Sequence, residues 1–95
     1  MTIGALVLTL RLHGCSSLKD KRMRIKPILE RTRHKFHVSA AEIDFQDVYE
    51  AAQLAFVTVN ANDRIANSTC DKILDFVESL GLAEISGQHL ELIRL

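Results

Sequence analysis

At 95 residues the chain has room for one domain, and 47% hydrophobic with 25% charged residues is a globular balance that excludes a disordered chain. The formal net charge is zero, so attraction for an anionic partner has to come from local placement of charge. Two cysteines, Cys15 and Cys70, are too few for a disulfide framework and read as free thiols of a cytoplasmic protein.

The charge is unevenly placed. Residues 1–40 hold nine Lys/Arg against Asp20 and Glu30, a balance of +7, while residues 41–95 hold three against ten acids, a balance of −7. Such asymmetry points to an anionic partner for one element, to mutual neutralisation of packed elements, or to self-association. The apolar residues 1–10 lack a basic leader and a small-residue cleavage site, and are too short to span a bilayer, so no membrane partner is expected.

In chain order, residues 2–12 alternate, with Leu6, Leu8, Leu10 and Leu12 on one face, and predict a strand with the leucines in the core. The other face, Ile3, Ala5, Val7, Thr9 and Arg11, is also fairly apolar, as suits an interior strand. His13-Gly14-Cys15-Ser16 predicts a loop, and Ser17 an N-cap with Asp20 as its capping-box partner. A long helix follows over residues 18–37, with Leu18, Ile25, Ile28, Leu29, Thr32 and Phe36 on its apolar face. Pro27 inside it predicts either a mild kink toward solvent or a restart of the helix.

Residues 38–45 read as a second strand and residues 48–60 contain a third, with a tight turn at Gln46-Asp47. Both alternations of Leu54-Ala55-Phe56-Val57-Thr58-Val59 are apolar, so the pattern marks a central strand without choosing its inward face. Asn62 or Asp63 caps a second helix carrying Ile65, Thr69, Ile73, Phe76, Val77 and Leu80, and Gly81 ends it. Residues 83–95 form a fourth strand with a bulge or bend at Gly87. The order βαββαβ predicts an α+β, ferredoxin-like sandwich: a four-stranded antiparallel sheet with two helices on one face. Its first and third strands are expected to be central, and parallel to each other.

The segments Ser17-Leu18-Lys19-Asp20-Lys21-Arg22, Phe36-His37-Val38-Ser39-Ala40-Ala41-Glu42-Ile43, Gln46-Asp47 and Asn62-Asp63-Arg64 together resemble the YlxP-like family of small bacterial proteins of unknown function. The resemblance runs over nearly the whole chain and implies a ferredoxin-like fold. Genes of that family often lie beside translation and ribosome-maturation genes, which implies an RNA-related role. The family offers no catalytic residues to carry over, and Pro27 departs from its usual pattern.

The first helix is the best candidate site. Lys19, Arg22, Lys26 and Arg33 line one flank of its apolar stripe, and Lys21, Arg24, Arg31 and Lys35 the other. Backbone phosphates need cationic density at such intervals. A solvated helix with long side chains draped over the core edge would look the same. Gly14, Ser16 and Ser17 could hold an anion at the helix start, although an ordinary N-cap needs no ligand. The third strand lacks the stacking aromatics of an RNA-recognition motif, with Leu54 and Ala52 where an aromatic and a basic residue belong, and there is no GxxG clamp.

Enzyme readings are weak. Glu42 and Asp44, two apart on a strand, should share a face, with Asp47 and Glu50 close by, but charges on an edge strand are common. His13, His34, His37 and His89 lack zinc-ligand spacing, Cys15 has no motif of a nucleophile, and the arginine-bearing glycine loop of acylphosphatases is not evident. No cofactor, metal or catalytic residue is assigned.

The expected function is therefore a cytoplasmic, non-catalytic module for RNA or the ribosome, neutralising phosphates with Lys19, Lys21, Arg22, Lys26 and Arg33. The alternative is a homo-oligomeric interaction domain that buries the open sheet face, including Ile3, Ala5, Val7 and part of the third strand.

Overall fold

Alternation along the first strand sets the architecture. The computed structural model describes residues 1–95, and its β1 (Thr2–Arg11) buries Leu6, Leu8 and Leu10 on one side, with Leu12 continuing the series into the loop. Those leucines face two helices, as expected.

α1 (Leu18–Phe36) starts where Ser17 turns extended and its hydroxyl accepts the Asp20 N–H at 3.1 Å. It runs unbroken through Pro27. The carbonyl deprived of the proline N–H is that of Met23, a residue on the exposed side of the helix where water can replace the lost bond. The helix ends at His37, held in the left-handed region at φ 54° with its N–H on the Arg33 carbonyl.

β2 (Ser39–Asp44) and β3 (Ala51–Asn60) form a hairpin whose tip turns at Gln46-Asp47, where the Val48 N–H donates to the Phe45 carbonyl at 3.0 Å. β3 turns Ala52, Leu54, Phe56 and Thr58 inward, which settles the face that its composition left open. α2 (Asp63–Ser79) is capped by Asn62, whose side-chain oxygen accepts the Ile65 N–H. Its buried stripe is Ala66, Cys70, Ile73 and Val77, so Ile65 lies outside it and is exposed. Gly81 follows the helix at φ 65°, which favours glycine. β4 (Glu84–Arg94) carries the bulge: Thr9 pairs with Gly87 and Leu10 with Ile85, leaving Ser86 as the extra residue.

The sheet order is β2-β3-β1-β4, and every pairing is antiparallel. The expected parallel pairing of the first and third strands is therefore wrong. The crossover through α1 makes β1 and β2 parallel and leaves a gap between them; the hairpin then sends β3 back through that gap in the opposite direction. With both helices on one face, the fold is the ferredoxin-like α+β sandwich. α2 comes close enough to β1 that a Cβ on Gly4 would sit 3.1 Å from Cys70 Sγ and Thr58 Cγ2.

The other face has no cover. Along it run Ile3, Ala5, Val7 and Thr9 from β1, paired with Val59, Val57, Ala55 and Gln53 of β3, with Ile93 beside Ile3 on β4. Val57, Val59 and Ile93 are all exposed.

Candidate nucleic-acid interface

Helical spacing sorts the basic residues of α1 into three groups with different fates. Lys19, Arg22, Lys26 and Arg33 follow one another at three, four and seven residues and form one exposed ridge, about 21 Å long at 1.5 Å per residue. The only carboxylate on it is Glu30, 3.9 Å from Lys26 Nζ. Arg33 also donates to the Ala40 carbonyl at 2.5 Å, which ties the end of the ridge to β2.

Lys21 belongs to neither flank. It stands at the start of the buried stripe Lys21, Ile25, Ile28 and Thr32, and is 3% exposed. Its ammonium donates to the Phe45 carbonyl at 2.6 Å and sits 2.8 Å from Glu42 Oε2. A lysine so enclosed cannot reach a surface phosphate, so it leaves the set of candidate contacts. Its contact with Glu42 is an ion contact rather than an aligned hydrogen bond, because Glu42 Oε2 is sealed from water and accepts no well-directed proton.

The remaining flank stays at the surface, with Arg31 and Lys35 exposed and Arg24 half-buried. Lys35 Nζ lies 5.4 Å from the Phe76 ring centroid and 5.9 Å from that of Phe36, over an edge-to-face pair of rings. Arg24 reaches back over Gly14 and toward Asp20.

The loop at the start of α1 already holds an anion of its own. The Asp20 carboxylate takes the Ser16 hydroxyl at 2.9 Å and the Ser16 N–H at 3.3 Å. These donors hold the Asp20 carboxyl below its ordinary range. Gly14, Ser16 and Ser17 therefore do not form a vacant anion cradle: the serines are bonded to Asp20, and Gly14, at φ 81°, shapes the turn. Nor do Glu42 and Asp44 share a face. A bulge between them pairs Glu42 with inward Leu54 but Asp44 with Gln53, whose amide bonds Thr9 on the open side.

Elsewhere titratable groups meet in separate pairs. His13 meets Glu84 at 2.5 Å and holds its carboxyl below the usual range; His89 meets Glu91 at 3.2 Å. Asp63 is held low by the Thr2 hydroxyl and by Arg94. Cys15 and Cys70 are buried, and burial raises the Cys70 thiol.

Sequence reasoning missed a groove of about 380 Å³ between α1 and the β2–β3 turn. Leu18, Ile25 and Leu29 form its helix side, Glu42, Gln46 and Asp47 its strand side, and Arg22 and Lys26 its rim. The bond from Lys21 to the Phe45 carbonyl draws the turn against the helix. The tip beside it leaves Ile43, Phe45, Val48 and Tyr49 exposed, with Phe45 at φ 63°.

No helix is long and apolar enough to cross a membrane. Over 97% of its length the chain is similar in fold to a structural-genomics protein, YJCS (TM-score 0.62, 12% identity, 99% of that chain). It is also similar to a point mutant of SnoaB from Streptomyces nogalater, described as a cofactor-independent oxygenase (TM-score 0.52, 13% identity, 98% of this chain and 92% of that one). Identities this low speak for the fold alone. In sequence it is 31% identical over 68 residues to an uncharacterized protein, YlxP, of Bacillus subtilis (strain 168), covering 72% of this chain and 74% of that protein. Residues 3–89 match the family described as a protein of unknown function, DUF503, and the chain belongs to that family.

Proposed function

We propose that the protein is a non-catalytic module that associates with RNA by neutralising backbone phosphates along the exposed ridge of α1. The observation that carries this reading is the alignment of Lys19, Arg22, Lys26 and Arg33 on one side of a helix, with a single carboxylate, Glu30 beside Lys26, among them. Charge at that spacing serves a polyanion better than a point ligand. It gives affinity without base reading, since phosphate contacts carry no sequence information directly.

Titrating a fluorescent structured RNA at several salt concentrations tests it. Four phosphate contacts predict a log–log slope of about −3, falling toward −1 in the Arg22→Glu/Lys26→Glu variant. Both residues are exposed, so the variant should fold normally. Absence of binding at low salt, or a slope untouched by the double charge reversal, rejects the reading.

A second reading is favoured by the uncovered sheet face: two copies pack these faces together. The 37 residues of the four strands, at about 3.4 Å per residue and about 4.8 Å between strands, give a footprint of roughly 600 Å² per copy. About 1,200 Å² for the pair lies at the lower edge of specific interfaces. The centre is small and flat, Ala5, Val7 and Ala55, and the contact of His89 with Glu91 borders it. Sedimentation at tens of micromolar should give the mass of two chains, and Val57→Glu that of one. A single-chain mass for the unmodified protein excludes this interface. It is compatible with RNA binding, because α1 lies on the opposite side of the sheet.

A further inference from the structure

We propose that the groove between α1 and the β2–β3 turn receives one unpaired nucleobase carrying an amino group, from the strand whose phosphates lie on the α1 ridge. This inference rests on the RNA reading above and names the kind of RNA involved.

A nucleobase has apolar faces and a polar edge, and the groove has the same division. Leu18, Ile25 and Leu29 offer an apolar wall from successive turns of α1. Facing them, Glu42, Gln46 and Asp47 offer a polar edge. Two of those three are carboxylates, which only accept, so that edge is rich in acceptors. It suits the exocyclic amines of cytosine and adenine, which pair with carboxylate and amide side chains, and guanine also brings N–H donors. Uracil has no exocyclic amine, and its single N3–H donor stands between two carbonyl oxygens that the carboxylates repel.

The connection to the ridge is covalent in its logic. Arg22 and Lys26 stand at the rim of the groove and are also the middle of the ridge. A phosphate held by them has its own nucleotide's base within reach of the opening. The groove's volume, about 380 Å³, is within the range of small-ligand sites. Its floor is polar: the enclosed Lys21–Glu42 pair lies beneath it, with Glu42 Oε2 sealed from water against Lys21. A base locked in a duplex cannot enter, since its edge is paired and its faces are stacked, and extruding it costs a few kcal/mol. The RNA that fits is therefore a single strand or a loop.

Fluorescence anisotropy with ten-nucleotide oligomers of cytidine, adenosine and uridine, and with a ten-base-pair duplex, tests the proposal at one fixed salt concentration. Oligo(C) and oligo(A) should bind about tenfold more tightly than oligo(U) and more tightly than the duplex. Asp47→Asn, in an exposed turn, and Leu29→Ala, in the wall, should each shrink that preference while leaving the salt slope unchanged. Equal affinity for all three oligomers with the slope intact overturns the base site and leaves the phosphate ridge standing. Tightest binding to the duplex, or a preference that both variants retain, overturns it as well. If no RNA binds at low salt, the ridge reading fails and takes the base site with it.

Discussion

Phe56→Ala should lower the unfolding free energy by about 3–5 kcal/mol, the loss expected for truncating a fully buried phenylalanine. Phe56 is the largest fully buried side chain, opposite Leu6 on β1 and Ala40 on β2, so it lies beneath both helices at the middle of the sheet. Nothing near it is free to collapse into the space: β1 and β3 are fixed by a ten-residue ladder. Against a total stability of about 5–15 kcal/mol, this leaves a marginal fold. For a domain of this size it corresponds to a drop in Tm of roughly 15–30 °C. Urea denaturation followed by circular dichroism measures it, with Phe56→Leu as the milder reference. A loss below about 1.5 kcal/mol would mean that the helices close onto the sheet, against the rigid core described here.

Glu42→Ala should cost about 2–3 kcal/mol, somewhat less than the roughly 3–5 expected for breaking a wholly buried pair, because a quarter of the Glu42 side chain still meets water. The change strands the Lys21 ammonium, 3% exposed, with only the Phe45 carbonyl as partner. Lys21→Met should cost less, since Glu42 can hydrate through its open side and methionine fills the stripe between helix and sheet. The double variant should recover part of the Glu42→Ala loss. A double-mutant cycle in urea reads the coupling directly. If both single changes cost under about 0.5 kcal/mol, the pair is hydrated and the groove floor is looser than its geometry indicates.

The two sites differ in how far the sequence discloses them. Leu6 to Leu12 alternate against polar or smaller neighbours, so the inward face of β1 is legible from spacing alone. β3 is not, because Ala55, Val57 and Val59 are as apolar as the residues they alternate with; the register with β1 decides. Residue type puts Lys21 on a flank, yet its spacing to Ile25, Ile28 and Thr32 is that of the buried stripe. The same holds for Ser16: its donors lie within one turn of Asp20, close enough for an internal acceptor. The ridge of Lys19, Arg22, Lys26 and Arg33 follows from helical periodicity and keeps its place in the structure. The groove has no such signal. It exists because the hairpin tip folds back on α1 through Lys21 and Phe45, 24 residues apart. The antiparallel course of β1 and β3 is likewise a matter of how the hairpin threads the sheet.

The central position of β1 has a consequence for how the chain acquires its fold. β1 is synthesised before both of its partners, pairing on one side with residues 51–60 and on the other with residues 84–94, Thr2 meeting both Asn60 and Arg94. Neither partner exists when β1 leaves the ribosome. The apolar segment Thr2–Arg11 must wait, unpaired on both edges, until β3 is made, and on one edge until β4 is made. Closing such distant contacts costs loop entropy before any pairing is gained, which places folding late and makes it slower than that of a helical bundle of equal length. The acidic β2–β3 hairpin and the basic α1 can form locally in the meantime, and so the charged parts of the molecule assemble before its centre.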